Sequence, residues 1–249
     1  MTATKNGTSR PAGGPDLRGM LAAAGIAAIA NALFKRGLRN VCLSGLAPVA
    51  PDQRPMVGPA YTLRFIPARE DIDTMAGYAS SGNLHRRAIE ECPAGSVLVV
   101  DARGETRVSS AGDMMAMRLS ALGAAGIVTD GGFRDVPGIR ATGLPAYQRA
   151  PATPATPIAL HAVELNSPIG CAGVAVYPGD MVVGDSNGVA VIPAHMAAEV
   201  AREAYNASQY EVFAELHLAR GRSLFGLFPP TPESEAEYEA WKRAGCPKT

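Results

Sequence analysis

The sequence has no surplus of charge of either sign. Lys and Arg together number 23, as do Asp and Glu. That balance lacks the basic footprint of a nucleic-acid binder, although a small anion needs only a local site. Cysteine is scarce as well. Cys42, Cys92, Cys171 and Cys246 are far apart and form no CxxC pair, which argues against a zinc site and a disulfide framework. They read as buried free thiols of a reducing cytoplasm. His85, His161, His195 and His217 share no ligand spacing, so no histidine metal site is expected. No apolar run reads as a membrane span. "MLAAAGIAAIA" (Met20–Ala30) is too short to cross a bilayer. It also continues into "NALFKRG", an amphipathic helix ending on basic residues and Gly37, unlike a signal-peptide core. The expected location is therefore cytoplasmic, with no membrane and no nucleic acid among the partners.

What is present is enough for a sizeable core. Apolar residues make up 47% of 249, the range of an ordinary globular domain. Residues 1–16 read as a flexible tail, 17–230 as one domain and 231–249 as a C-terminal tail rich in Pro and Gly. Within the domain, Leu17–Arg36 reads as a helix and Val57–Pro67 as a strand. Gly77–Cys92 reads as a helix with Asn83 as a possible N-cap. "GSVLVVDA" (Gly95–Ala102) and "GIVTDGG" (Gly126–Gly132) are short apolar runs suited to strands buried on both faces. A helix between them, starting near Gly112-Asp113, completes a βαβ crossover. Asn187-Gly188, between "MVVGD" and "VAVIP", signals a hairpin. Ala194–Gly221 reads as a long helix, with a break expected near Asn206. The fold class is α/β.

The chemistry concentrates in "TDGGFRDVPG" (Thr129–Gly138). A buried strand leaves through two glycines and then sets Arg134 beside Asp135. Glycines let a backbone turn and approach a ligand closely. Upstream, Gly112-Asp113 opens a helix, whose free N–H groups can hold a carboxylate. Arg134 could add a bidentate contact, and two nearby carboxylates could hold a hard cation, mostly through water. Spacing alone does not bring the two segments together. Taken singly, Arg134-Asp135 reads as a surface ion pair, and Asp113 as a helix cap.

Asp113, then twenty residues, then Arg134-Asp135, stands inside "AGDMMAMRLSALGAAGIVTDGGFRD". With "GLPAY", "PGDMVVGDSNGVAVIP" and "GRSLFGLFPP", this resembles the RraA-like family over roughly Leu17 to Pro230. That family includes the class II, divalent-metal-dependent pyruvate aldolases acting on 4-hydroxy-4-methyl-2-oxoglutarate and 4-carboxy-4-hydroxy-2-oxoadipate, which also decarboxylate oxaloacetate. It includes ribonuclease regulators too. The resemblance implies a swivelling β/β/α-type single domain with a βαβ core and a long C-terminal helix, assembled as a homotrimer or homohexamer with sites between subunits. It implies Asp135 as a direct ligand of Mg²⁺ (or Mn²⁺), and Asp113 and a neighbouring subunit's Glu211 as holders of metal-bound water. It implies Arg134 as the catalytic contact to a small anionic 2-oxo acid. Gly112 and the N–H groups around Met114 and Met115 would bind the substrate carboxylate.

Two departures stand out. Gly138 occupies a position where the family's aldolases often carry an acidic residue, and "NALFKRG" lacks the Asp that many relatives have before Ala-Leu. The expected activity is C–C bond cleavage through a pyruvate enolate, by retro-aldol reaction or decarboxylation. A non-catalytic ribonuclease regulator, or a hydrolase or dehydratase on a related sugar acid, are the alternatives. Asp101, Asp130, Asp180 and Asp185 read as structural turn residues. His85 and Arg86 could reach the cleft from their helix, with a surface role the plainer reading, and Met114, Met115 and Met117 read as core and pocket wall.

Overall fold

The computed structural model describes residues 15–247; of the tail expected over 1–16, residues 1–14 lie outside the described residues. The chain begins with α1 (Leu17–Lys35), β1 (Ala47–Pro48), β2 (Met56–Pro67), α2 (Met75–Ala79) and α3 (Leu84–Glu90). There follow β3 (Val97–Asp101), β4 (Ser109–Ala111), α4 (Asp113–Ala121), β5 (Gly126–Thr129), β6 (Gly132–Phe133), α5 (Val136–Ala141) and β7 (Ala146–Gln148). The last third holds β8 (Leu160–Leu165), β9 (Ile169–Cys171), β10 (Val174–Val176), β11 (Met181–Asp185), β12 (Gly188–Ile192), α6 (Ala197–Ala219) and α7 (Pro232–Arg243).

The main sheet runs β1-β7-β5-β3-β2-β11-β12, with β8 also paired to β2. The strand pairs β2–β3, β3–β5 and β5–β7 are parallel, as the βαβ reading requires. The long β2 serves three partners. Its start borders β11, with Pro59 opposite Met181, and its end borders β8, with Pro67 opposite Leu160. The sheet thereby curls into a nearly closed, barrel-like wall. Period-two alternation divides the apolar residues between its faces. Val97, Val99, Val182, Val189 and Val191 point inward around Met56 and Tyr147. Leu98, Val100 and Ile127 point outward beneath α3 and α4, while Met181, Val183, Ala190 and Ile192 point outward beneath α1 and α6. With both faces covered, the strands read as continuous apolar runs. Each fully buried Val or Leu contributes on the order of 2 kcal/mol.

Several local expectations change. The first helix is broken at Gly25 (φ 75°, ψ 161°), and the Ile26 N–H exposed there donates to Asp185 Oδ2 at 2.8 Å. This helix has the length and composition to cross a membrane, but Leu21, Ile29 and Leu33 are buried in the core shared with α6. The Gly77–Cys92 segment divides into α2 and α3. Asn83 does cap the second, accepting from Arg86 N–H at 3.1 Å. Because Asp185 pairs with Gly188, the hairpin loop is Ser186-Asn187, one residue earlier than read. α6 runs through Asn206 unbroken, since Ala201, Ala204, Tyr210 and Phe213 are buried on either side of it.

The presumed C-terminal tail at 231–249 contains α7. Thr231 and Ser234 form a reciprocal capping box, Pro232 opens the first turn, Glu233 and Glu235 stand at its N-terminal end, and Lys242 and Arg243 at its C-terminal end. All of these suit the helix termini. Tyr238 and Trp241 then pack on Tyr210 and Phe213. Among the cysteines, Cys92 and Cys171 are buried but Cys42 and Cys246 are exposed; all four are free thiols.

Candidate active site

A short parallel pair of strands brings the two halves of the motif together. Ser109 of β4 lies opposite Gly132 of β6, and Ala111 opposite Phe133. Their C-terminal ends therefore lie side by side, with Asp113 just beyond one and Arg134-Asp135 just beyond the other. Arg134 N–H donates to Ala111 O at 3.0 Å. Ser110 Oγ, buried between the strands, reaches Thr129 Oγ1 at 2.9 Å and Gly132 O at 3.0 Å.

The loop before β4 is tied down by Asp130, whose carboxylate is 5% exposed. It accepts from Ala102 N–H at 2.8 Å, Gly104 N–H at 3.0 Å and Ala172 N–H at 3.3 Å. The structural reading of Asp130 holds. So does that of Asp180, which accepts from Tyr177 and Ala194 N–H, and of Asp185 and Asp101, which accept from Asn187 and Arg103 N–H.

The two glycines serve the protein's own packing. A Cβ on Gly131 would stand 2.6 Å from Glu105 O, and one on Gly132 2.5 Å from Ala150 O. Both are buried, so the crowding neighbour is backbone and not the ligand expected from the sequence. Gly112 is the glycine that shapes the site. A Cβ there would lie 3.0 Å from Arg134 Cγ and 3.3 Å from Asp135 Oδ2, so its absence lets Arg134 lie across the start of α4.

Arg134 Nε and Asp135 Oδ2 are 3.3 Å apart, with side chains 47% and 51% exposed. A pair so exposed contributes little to stability. Asp135 also takes a left-handed backbone conformation (φ 53°, ψ 40°) at the N-cap of α5 without capping it, a conformation Asp tolerates better than most residues. Asp113 is partly buried, and its Oδ1 accepts from Met114 N–H at 2.7 Å. This corrects the expected role of that N–H, which is already occupied. The N–H groups of Asp113 and Met115, in the same first turn, have no acceptor within the helix. Met114 is 72% exposed at the rim, while Met115 packs on the core.

Gly138 now has a physical role. A Cβ on it would stand 2.7 Å from Asp113 Cβ and 2.8 Å from Asp113 Oδ2. Any side chain at 138 would displace Asp113 from its present place.

Gly112–Met115 and Arg134 line a cavity of about 380 Å³ together with Met75, Tyr78, Arg86 and Thr156; Asp135 and Gly138 are not in its lining. A second cavity of about 460 Å³ shares Tyr78, Thr156 and Pro157 with it. His85 lines that second cavity and is 2% exposed, not a surface residue. It lies edge-on to Phe65, with neither ring nitrogen hydrogen-bonded. Burial lowers its pKa to about 4.

Glu211 lies on α6 and does not line the first cavity. Its pKa is raised by burial and then by Glu215. Among the described residues no three His, Cys, Asp or Glu side chains are grouped closely enough to hold a metal. Two carboxylates do fit a hard ion that keeps most of its ligands as water or substrate oxygen.

The RraA-like model (Aldolase/RraA) matches residues 26–191. A protein of Halalkalibacterium halodurans named "Putative 4-hydroxy-4-methyl-2-oxoglutarate aldolase" is 34% identical, over 68% of this chain and 73% of its own. Streptomyces coelicolor RraAS2, described as an unusual member of the RNase ES inhibitor RraA family, superposes with a TM-score of 0.71. It is 33% identical, over 82% of this chain and 99% of its own. An uncharacterized Pseudomonas syringae protein superposes with a TM-score of 0.68 at 26% identity, over 80% of this chain and 89% of its own.

Proposed function

The chain belongs to the RraA-like family, and from that premise we propose that it is a metal-dependent lyase cleaving a C–C bond of a small 2-oxo acid. An aldolase or RraA-type role follows from the relatives. The β4–β6 pairing supports the lyase reading: it sets Asp113 beside Arg134-Asp135, with Asp113 and Arg134 lining a cavity.

Asp135 would hold Mg²⁺ or Mn²⁺ directly. Asp113, and Glu211 from a neighbouring subunit of a trimer or hexamer, would hold its waters. When bound, the ion supplies Lewis-acid polarisation of the substrate's keto and carboxylate oxygens. The chain's own groups do the rest. The start of α4 offers N–H groups to the substrate carboxylate. The Arg134 guanidinium opposes the negative charge that gathers on the keto oxygen. As the C3–C4 bond breaks, its electron pair moves toward that oxygen and leaves pyruvate enolate. In a retro-aldol substrate the C4 hydroxyl gives up its proton as the new carbonyl forms; in oxaloacetate the departing group is CO₂. In both, C3 then takes a proton. Met75, Tyr78 and Met114 line the cavity.

Pyruvate release from oxaloacetate and from 4-hydroxy-4-methyl-2-oxoglutarate, with Mg²⁺ and with EDTA, tests the proposal against a no-enzyme control. EDTA-sensitive pyruvate from either substrate is expected. Its absence from both would overturn the lyase reading. The similarity to RraAS2 would then favour a regulator of a ribonuclease, to be sought by binding.

A further inference from the structure

Three arginines line the cavity, and they differ in what they already hold. Arg118 is committed to Glu90, with Nε and Nη2 at 3.0 Å and 2.8 Å from Oε2. Arg134 faces Asp135 and belongs to the end where the 2-oxo group would bind. Arg86 stands in the first turn of α3 and donates one N–H, from Nη1, to Ala79 O at 2.7 Å. That bond anchors the guanidinium and leaves the rest of its fork uncommitted. Among the described residues no carboxylate forms an ion pair with Arg86; Glu90, one turn further on, is taken by Arg118.

Tyr78 lines the cavity together with Arg86 and Arg134. Burial raises the pKa of its hydroxyl, while Arg134, the Thr156 hydroxyl and Arg86 oppose that rise. Both arginines are therefore near enough to act on one phenol. Glu90 also lines the cavity, but its carboxylate is bonded to Arg118, so Arg86 is the one of the three arginines with no carboxylate bonded to it among the described residues.

We propose that Arg86 receives a second carboxylate, at the far end of a 2-oxo acid whose keto end lies at Arg134. The cavity would then select diacids over 2-oxo acids of equal length with an apolar end. The assignment rests on the lyase reading for the placement of the keto end. An arginine suits the role because its planar fork matches a carboxylate bidentately.

The test is calorimetric titration of 2-oxoglutarate and of 2-oxopentanoate, with Mg²⁺, into the wild-type protein, Arg86→Ala and Arg87→Ala. The two ligands have equal chain length and differ in a terminal carboxylate against a methyl group. The wild type should bind the diacid about tenfold tighter or more, the usual worth of a charge-assisted hydrogen bond. Arg86→Ala should lose that preference. Arg87→Ala should keep it, because Arg87 pairs with Glu91 and lies outside the cavity. A wild type without the preference or without binding, or an Arg86→Ala that keeps the preference or weakens both ligands equally, would overturn the proposal. Pyruvate release read on the same preparations separates the two ideas. A diacid preference lost in Arg86→Ala, without any turnover, would sink the lyase reading and leave Arg86 in place. Turnover without the preference would do the reverse.

Discussion

Asp130 and Asp113 both follow short buried strands, and their surroundings are nearly opposite. Asp130 is 5% exposed and accepts from three backbone N–H groups. Asp113 accepts from one, its own neighbour's, and Asp135 shares a half-exposed contact with Arg134. The same division separates the cavity's rim from the layer beneath it. Below, Ser110, Thr129 and Asp130 are buried and hydrogen-bonded, and His85 is buried with neither ring nitrogen bonded. At the rim, Arg134 and Asp135 retain bonding capacity that the fold does not use. A carboxylate committed to several backbone donors is a structural one, because its desolvation is offset within the chain. One left partly open can serve a ligand. Changes at the rim should therefore affect activity and spare stability, and changes beneath should do the converse.

After loss of Asp135 itself, the largest effect on turnover should come from Arg134→Ala. It removes the charge opposing the enolate, and kcat/KM should fall about 10²–10³-fold with the melting temperature nearly unchanged. A rim that also carried stability would show a clear drop in the melt. Asp130→Ala should do the opposite. It leaves buried N–H groups without an acceptor, at a cost of about 3 kcal/mol, read by denaturant unfolding. Activity per folded molecule should persist.

His85 sharpens the comparison through pH. Its folded pKa of about 4 lies below the ordinary 6.5 because of burial. Between those values the unfolded chain takes up a proton that the folded protein refuses. Folding stability should thus fall by up to about 3 kcal/mol as pH drops through that window, with no contribution above it. His85→Phe should flatten this part of the stability profile relative to wild type. Equal slopes in the two proteins would remove His85 from the account. The smallest effect concerns Gly138→Ala. The added Cβ would crowd Asp113 and should lower kcat about tenfold through misplacement. Unchanged kcat would mean that the site tolerates movement of Asp113.

Much of this arrangement could be read in the sequence, because the strands advertise themselves. Val97–Asp101 and Gly126–Thr129 are apolar on both faces, and of the motif residues around them Gly112, Asp113 and Arg134 line the cavity. Proximity could not be read. It depends on β4 and β6, strands of three and two residues that are too short to show any period. The part of the wall from Met75 and Tyr78 was missed for a related reason: α2 spans five residues and buries none, so it leaves no apolar stripe. The glycines at 131 and 132 were read for a ligand and serve neighbouring backbone, since sequence shows where a Cβ is absent but not what fills the space. α7 was legible and overlooked. Thr231-Pro232-Glu233-Ser234, followed by basic residues and Gly245, carries the usual start and stop signals.

The most direct test of rim against interior is Asp135→Ala, assayed for Mg²⁺-dependent pyruvate release and thermal unfolding on one preparation. Turnover below about a thousandth of wild type, with a melting temperature close to wild type, is the predicted result. Wild-type turnover from a folded variant would contradict the assignment of the reactive centre to this rim.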